Sequence, residues 1–235
     1  MNETIVTDIP FNLDLPGLLK KLRIDGRPEY AERCTRLARQ AAGLARPRAA
    51  YRLAYVEAKG ENTVVVDGVT LTSRVLRVNL GDVHRVFPFV ATCGAELDAW
   101  SKSIDDMLEG FWADAIMEEA LRAAFDALSA DLVRRYDLGQ TAMMNPGSLA
   151  DWPIEQQAEL FRILGGVNEQ IGVKLTDSFL MVPIKSVSGL RFPTETKYEN
   201  CQLCPRDPCP NRRAPYDAGL YERQYSPAKS KPSSQ

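Results

Sequence analysis

Three cysteines crowd one short stretch near the C-terminal end, Cys201-Gln202-Leu203-Cys204-Pro205-Arg206-Asp207-Pro208-Cys209-Pro210, in a chain that holds five in all. Thiols are rarely kept this close unless they bind a cation or do redox work. The C-x2-C-x4-C spacing supplies three ligands for an iron–sulfur cluster, and cysteine followed by proline is a habit of ferredoxin-type ligands. A 4Fe–4S cluster needs a fourth thiolate. Cys93 is the candidate, because it ends an apolar strand at a Cys-Gly turn just before a helix, where N–H groups favour a negative centre. Cys34 falls on an apolar helical stripe, where cysteine usually serves as a small hydrophobe. Two alternatives stay open: a structural zinc site that pins the C-terminal segment, or no metal.

Other chemistry is excluded by composition. The single histidine, His84, rules out two-histidine zinc sites, Glu-x-x-His di-iron pairs and facial triads within this chain. No P-loop, no G-x-G-x-x-G and no nucleophile elbow is present. A net charge of −2 gives no basic field for nucleic acid. No apolar run is long enough to span a bilayer, and the acidic start Met1–Asp8 has no signal-peptide character. The expectation is a cytoplasmic chain with reduced thiols.

The elements that must position these groups follow from periodicity. Residues 28–45 read as a helix that starts at Pro28 and carries Tyr30, Cys34, Leu37, Ala38 and Ala41 on one face. Residues 50–58 and 63–66 read as strands, Asp67-Gly68 as a hairpin turn, and 85–92 as a further strand. Residues 95–136 hold the strongest helical pattern, with a stripe of Ile104, Met107, Leu108, Phe111, Trp112, Ala115 and Ile116, and with Gly110 as the expected break. A Pro146-Gly147 loop leads past Trp152 into a helix over 154–170. A strand over 177–184 then runs into a Ser186-Val187-Ser188-Gly189 turn. Trp152 either walls a flat ligand or closes a core edge; Trp100 and Trp112 read as core and His84 as a surface or interface residue. This order is that of an α+β domain with a β-meander and flanking helices. The expected division is a domain over 1–196, a cysteine-rich extension over 197–225 and a disordered Ser/Pro/Lys-rich tail over 226–235.

The segment Gly172 to Gly189, with its Lys-Leu-Thr-Asp-Ser-Phe run and Ser-Val-Ser-Gly turn, resembles the activation domain of cobalamin-dependent methionine synthase. The Pro146-Gly147 loop and the Lys197-Tyr198 pair fall at matching places, and the likeness is good over roughly 140–200. It implies a C-shaped α+β fold that binds S-adenosylmethionine and presents it to cob(II)alamin on another domain. Carried over by position, it implies a face toward ligand or corrinoid built from Pro146, Gly147, Ser148, Ser186, Ser188, Gly189 and Tyr198. Where that family has an arginine four residues before the loop glycine, a tyrosine after it and a helix glutamate, this sequence has Met143, Ser148 and Ala123. A carboxylate-bearing ligand needs a partner such as that arginine, so S-adenosylmethionine loses its usual partner here. The reading that results is an accessory subunit of a corrinoid methyltransferase system. It would bind a corrinoid protein or methyltransferase and help return Co(II) to Co(I), with the cluster relaying electrons from a flavoprotein or ferredoxin. The alternatives are a zinc-stabilised, non-catalytic corrinoid-protein-binding module, and an S-adenosylmethionine-binding reactivase.

Overall fold

A computed structural model describes residues 4–226; the expected tail beyond Ser226 lies outside the described residues. In chain order the elements begin β1 (Thr4–Val6), α1 (Leu15–Lys21), α2 (Pro28–Leu44), β2 (Arg48–Tyr51), β3 (Ala54–Lys59), β4 (Thr63–Val66), β5 (Val69–Thr72) and α3 (Arg74–Asn79). There follow β6 (Arg85–Thr92), α4 (Ala95–Lys102), α5 (Met107–Tyr136), β7 (Thr141–Met144), α6 (Gln157–Leu164), α7 (Val167–Ile171), β8 (Lys174–Leu175), β9 (Met181–Val182) and β10 (Ser186–Pro193). The α+β class is as the sequence led one to expect. The chain forms two compact units, and the residues from Gly189 onward fall in the second.

The first unit comprises the chain up to Leu53, Pro88–Gly139 and Leu164–Ser188. Helix α2 starts with Pro28 in its first turn, where the missing N–H is no loss, and buries Cys34, Leu37, Ala38 and Ala41 at helical spacing. Against this stripe pack Leu97 of α4 and Trp112, Ile116 and Ala120 of α5. Strand β2 pairs antiparallel with β1 (Ile5↔Ala50) and with β6 (Ala50↔Val90). Helix α5 begins one turn earlier than a break at Gly110 would allow. The Asp106 carboxylate caps it by accepting the Glu109 N–H at 2.9 Å, and Gly110 lies inside the helix. The expected apolar stripe is also split. Trp112, Ala115 and Ile116 are buried, whereas Met107 and Phe111 are 91% and 62% exposed.

The second unit comprises Ala54–Phe87, Gln140–Ile163 and the chain from Gly189 onward. Strands β3, β4 and β5 form the expected meander. Its second turn, Asp67-Gly68, has φ of +43° and +77°, the conformation of the two-residue turn that suits strand twist. Strand β7 pairs antiparallel with β10, Leu190 opposite Met144 and Arg191 opposite Met143. The Ser-Val-Ser-Gly segment is therefore the start of a strand and not a turn. Two further expectations change. The helix over 154–170 is interrupted at Gly165 (φ +85°), and the strand over 177–184 shrinks to Met181–Val182. Pro183, which lacks a ladder donor, follows directly.

The C-terminal segment is anchored in this unit. Tyr225 is fully buried and its hydroxyl donates to Asn79 Oδ1 at 2.9 Å, while Arg74 Nε donates to the Tyr225 carbonyl at 2.9 Å. Burying one such aromatic side chain contributes roughly 2–3 kcal/mol, enough to fasten a segment with little regular structure.

Candidate functional site

The tail cysteines sit on a loop wrapped around one guanidinium. Cys201 lies in a short 3-10 turn, Asn200–Gln202, where the Glu199 carboxylate and the Gln202 side chain cap each other's backbone. Arg212 donates from Nη1 to the Cys201 carbonyl at 3.1 Å and from Nη2 to the Cys204 carbonyl at 3.2 Å, and also binds the Arg206 carbonyl. Neutral carbonyls that would otherwise face each other are thus gathered on a cation. The Arg213 N–H donates to Cys201 Sγ at 3.4 Å. That bond, with one from the Ala214 N–H and the charge of Arg213, holds the Cys201 thiol below the usual cysteine range. Cys201, Cys204 and Cys209 are half-buried and free.

Cys93 stands differently. It is fully buried in the apolar core of the first unit, in the cluster that also holds Cys34. Burial pushes its thiol up to about 12, with the Asp98 charge adding to the shift. A side chain expected to point into a cleft is enclosed by aliphatic and aromatic neighbours. Cys34 is buried too, and burial raises its thiol, in keeping with its reading as a small hydrophobe. Among the described residues, no three cysteine, histidine or acidic side chains are gathered as a metal-holding group.

The residues of the expected ligand face divide between the units. In the first, the Ser186 hydroxyl lies 2.9 Å from Thr92 Oγ1 and 2.7 Å from the Pro183 carbonyl, so it serves the local backbone. In the second, Ser188's neighbour Gly189 is buried in β10, and Tyr198 is buried with its hydroxyl donating to Asn200 Oδ1 at 2.9 Å. Ser188 itself is buried within the first unit. Tyr198 is a brace beneath the cysteine loop; burial, with the Tyr225 and Asp151 charges, raises its phenol. The Pro146-Gly147 loop closes tightly. The Gly147 N–H donates to the Trp152 carbonyl at 2.7 Å, Gly147 has φ of +80°, and a Cβ there would lie 2.8 Å from Ile154 Cδ1. Trp152 is fully buried. Ser148 is exposed beside it. His84 is exposed, as expected.

Sequence reasoning missed a cavity of about 450 Å³ in the second unit, formed where the loop after Gly147 meets the cysteine loop and the segment from Tyr216 to Tyr221. Ser148, Asp151 and Cys204 line it. Asp151 is placed by the first turn of α3: it accepts the Ser73 hydroxyl and the Val75 N–H, the latter at 3.0 Å. Nothing in the local sequence around Asp151 announces that role, because its partners lie on a distant segment.

The α+β fold is shared with a solved structure. The MetH reactivation domain, solved bound to AdoHcy, matches over 85% of this chain and 81% of that chain, with 18% identity and a TM-score of 0.62. Residues 140–212 match the family model for the vitamin B12 dependent methionine synthase, activation domain. The chain resembles that family in fold and in this segment. No curated protein matches the chain. No helix among the described residues is long and apolar enough to cross a membrane.

Proposed function

We propose that this chain is an accessory component of a corrinoid-dependent methyltransferase system, which binds a corrinoid protein and assists its reductive activation. The family match over residues 140–212 carries this reading, because it spans the Pro146-Gly147 loop, β10 and all three tail cysteines in one stretch. The test is co-purification and cobalt reduction. The chain is mixed with a cobalamin-binding domain charged with cob(II)alamin and a low-potential reductant, and the visible spectrum is followed. Formation of cob(I)alamin or methylcobalamin only when the chain is present supports the proposal; identical spectra with and without it remove it.

The cysteine loop is read as the seat of an inorganic centre, a 4Fe–4S cluster or, as the alternative, zinc. The donor set fits this in part. Cys201 is stabilised as a thiolate by N–H bonds of the kind that support metal-bound sulfur, and Cys204 and Cys209 are accessible. Cys93, the fourth ligand in this reading, lies in the apolar core of the first unit, where burial raises its thiol. Iron, sulfide and zinc analysis of anaerobically purified protein separates the cases. About four irons per chain favour electron relay, one zinc favours a binding module, and neither removes the centre.

A second reading, that the chain binds S-adenosylmethionine, is favoured by one observation. Arg191 stands opposite Met143, which places a guanidinium beside the position where the resembled family carries its arginine. The solved relative bound to AdoHcy lends the same support. Calorimetry with S-adenosylmethionine tests it, and absence of saturable heat removes it.

A further inference from the structure

We infer that Cys201 and Cys204 form a reversible dithiol–disulfide couple, through which the loop exchanges two electrons with organic disulfides. The pair is a Cys-x-x-Cys motif, the spacing found in thiol–disulfide oxidoreductases. Its backbone already has the geometry that the bond requires. The Cys204 N–H donates to the Cys201 carbonyl at 3.3 Å, which closes a four-residue turn. Such a turn holds its first and fourth Cα atoms less than about 7 Å apart, and a disulfide bridges Cα atoms about 4.4–6.8 Å apart. Cys201 lies in a 3-10 turn, where side chains three residues apart eclipse, so both thiols project from the same side of the loop.

The loop is held in this form by groups that take no part in the redox change. Arg212 binds the two carbonyls with one guanidinium, from Nη1 to Cys201 at 3.1 Å and from Nη2 to Cys204 at 3.2 Å. Between them, the Gln202 carbonyl accepts the Asp217 N–H at 2.9 Å, and the Gln202 side chain caps the turn with Glu199. Thiols kept together before they react lose little further freedom when the bond closes. The Arg213 N–H lies 3.4 Å from Cys201 Sγ, a donor in place for a sulfur that carries negative charge. Cys201 is therefore the attacking sulfur. Its thiolate attacks one sulfur of the incoming disulfide, joins it as a mixed disulfide and expels the other half as a thiolate. Cys204 gives its proton to solvent and attacks Cys201 Sγ. The second half then leaves as a thiolate and takes up a proton. Two protein thiols are oxidised and one disulfide is reduced to two thiols; a dithiol reductant runs the steps backward.

Neither an inorganic centre nor a corrinoid partner is needed for this exchange, so its failure leaves both of those readings to their own tests. The full chain is equilibrated with oxidised and reduced glutathione, quenched in acid, alkylated and cut with trypsin. Cleavage after Lys197, Arg206 and Arg212 puts Cys201 and Cys204 in one peptide, 198–206, and Cys209 in another, 207–212. The first peptide is expected unalkylated and short of two hydrogens, the second without that loss, and dithiothreitol should restore both alkylation sites. Cys204→Ser should stop at glutathione on Cys201. The native chain should close the bond at least about tenfold more readily than the chain unfolded in urea, because the turn and the Arg212 clamp are then lost. Glutathione held separately on the two cysteines of the wild type, a bond from either to Cys209, two free thiols in the oxidised buffer, or equal closure in the native and unfolded chains would overturn the inference.

Discussion

Arg191 and Met143 face each other across the antiparallel pair of β10 and β7. Residues opposed in this way keep their Cβ atoms about 4.5–5.5 Å apart, so the two side chains share one patch of surface. Burial holds the Arg191 guanidinium below the usual arginine value. Arg191→Met should weaken S-adenosylmethionine binding about tenfold or more, and Arg191→Lys less. Adding Met143→Arg to the Arg191→Met chain should recover part of the loss. Calorimetry on the four proteins checks this, and equal affinities would dismiss the second reading.

Cys201 should be the fastest-reacting thiol of the native protein. The N–H bond from Arg213 leads the causes that hold it low, so its thiolate persists at a pH where an ordinary cysteine is protonated. Alkylation followed by peptide mapping should mark Cys201 first, with Cys34 and Cys93 labelled only after unfolding. Labelling of Cys93 in the native state would contradict its place in the core.

Alkaline stability should depend on Cys93. Its folded-state value is raised from 9.0 to about 12, so the unfolded state loses this proton first as pH rises. The stabilisation is fully present below pH 9 and is lost between pH 9 and 12. The buried thiol should add up to about 1.4 kcal/mol per pH unit to the slope in that window. Tyr225, raised to about 12 mainly by burial, acts in the same direction. Urea titrations at several alkaline pH values should show a shallower loss for Cys93→Ala than for the wild type, alongside the cavity cost of about 1–2 kcal/mol at neutral pH. Equal slopes would mean that the thiol ionises in place.

Gly147→Ala should destabilise the second unit by about 1–3 kcal/mol. The backbone there is left-handed, and the new methyl would press on Ile154. Chemical denaturation measures the loss, and no change in midpoint would show that the loop relaxes freely.

Much of the fold was legible because it rests on local pattern. The helical stripe of Cys34, Leu37, Ala38 and Ala41, the Asp67-Gly68 turn and the apolar strand ending at Thr92 are all fixed by neighbours in sequence. The illegible parts depend on distant partners. The capping carboxylate of Asp106 moved a helix start that glycine alone would have placed later. The burial of Tyr198 and its hydrogen bond to Asn200 have no signal in local pattern. The burial of Cys93 was not legible, since a Cys-Gly turn before a helix is open in sequence and only packing closes it. The cavity at Asp151 joins three segments that no periodicity connects.

The most direct test of corrinoid activation is the cobalt spectrum itself. A cobalamin-binding domain in the cob(II)alamin state is held with titanium(III) citrate, with and without this chain, and then with the Cys201→Ser, Cys204→Ser and Cys209→Ser variants. The account predicts that cob(I)alamin forms faster with the wild-type chain and that the three tail variants lose the gain while remaining folded. Reduction at the same rate in every sample would contradict it.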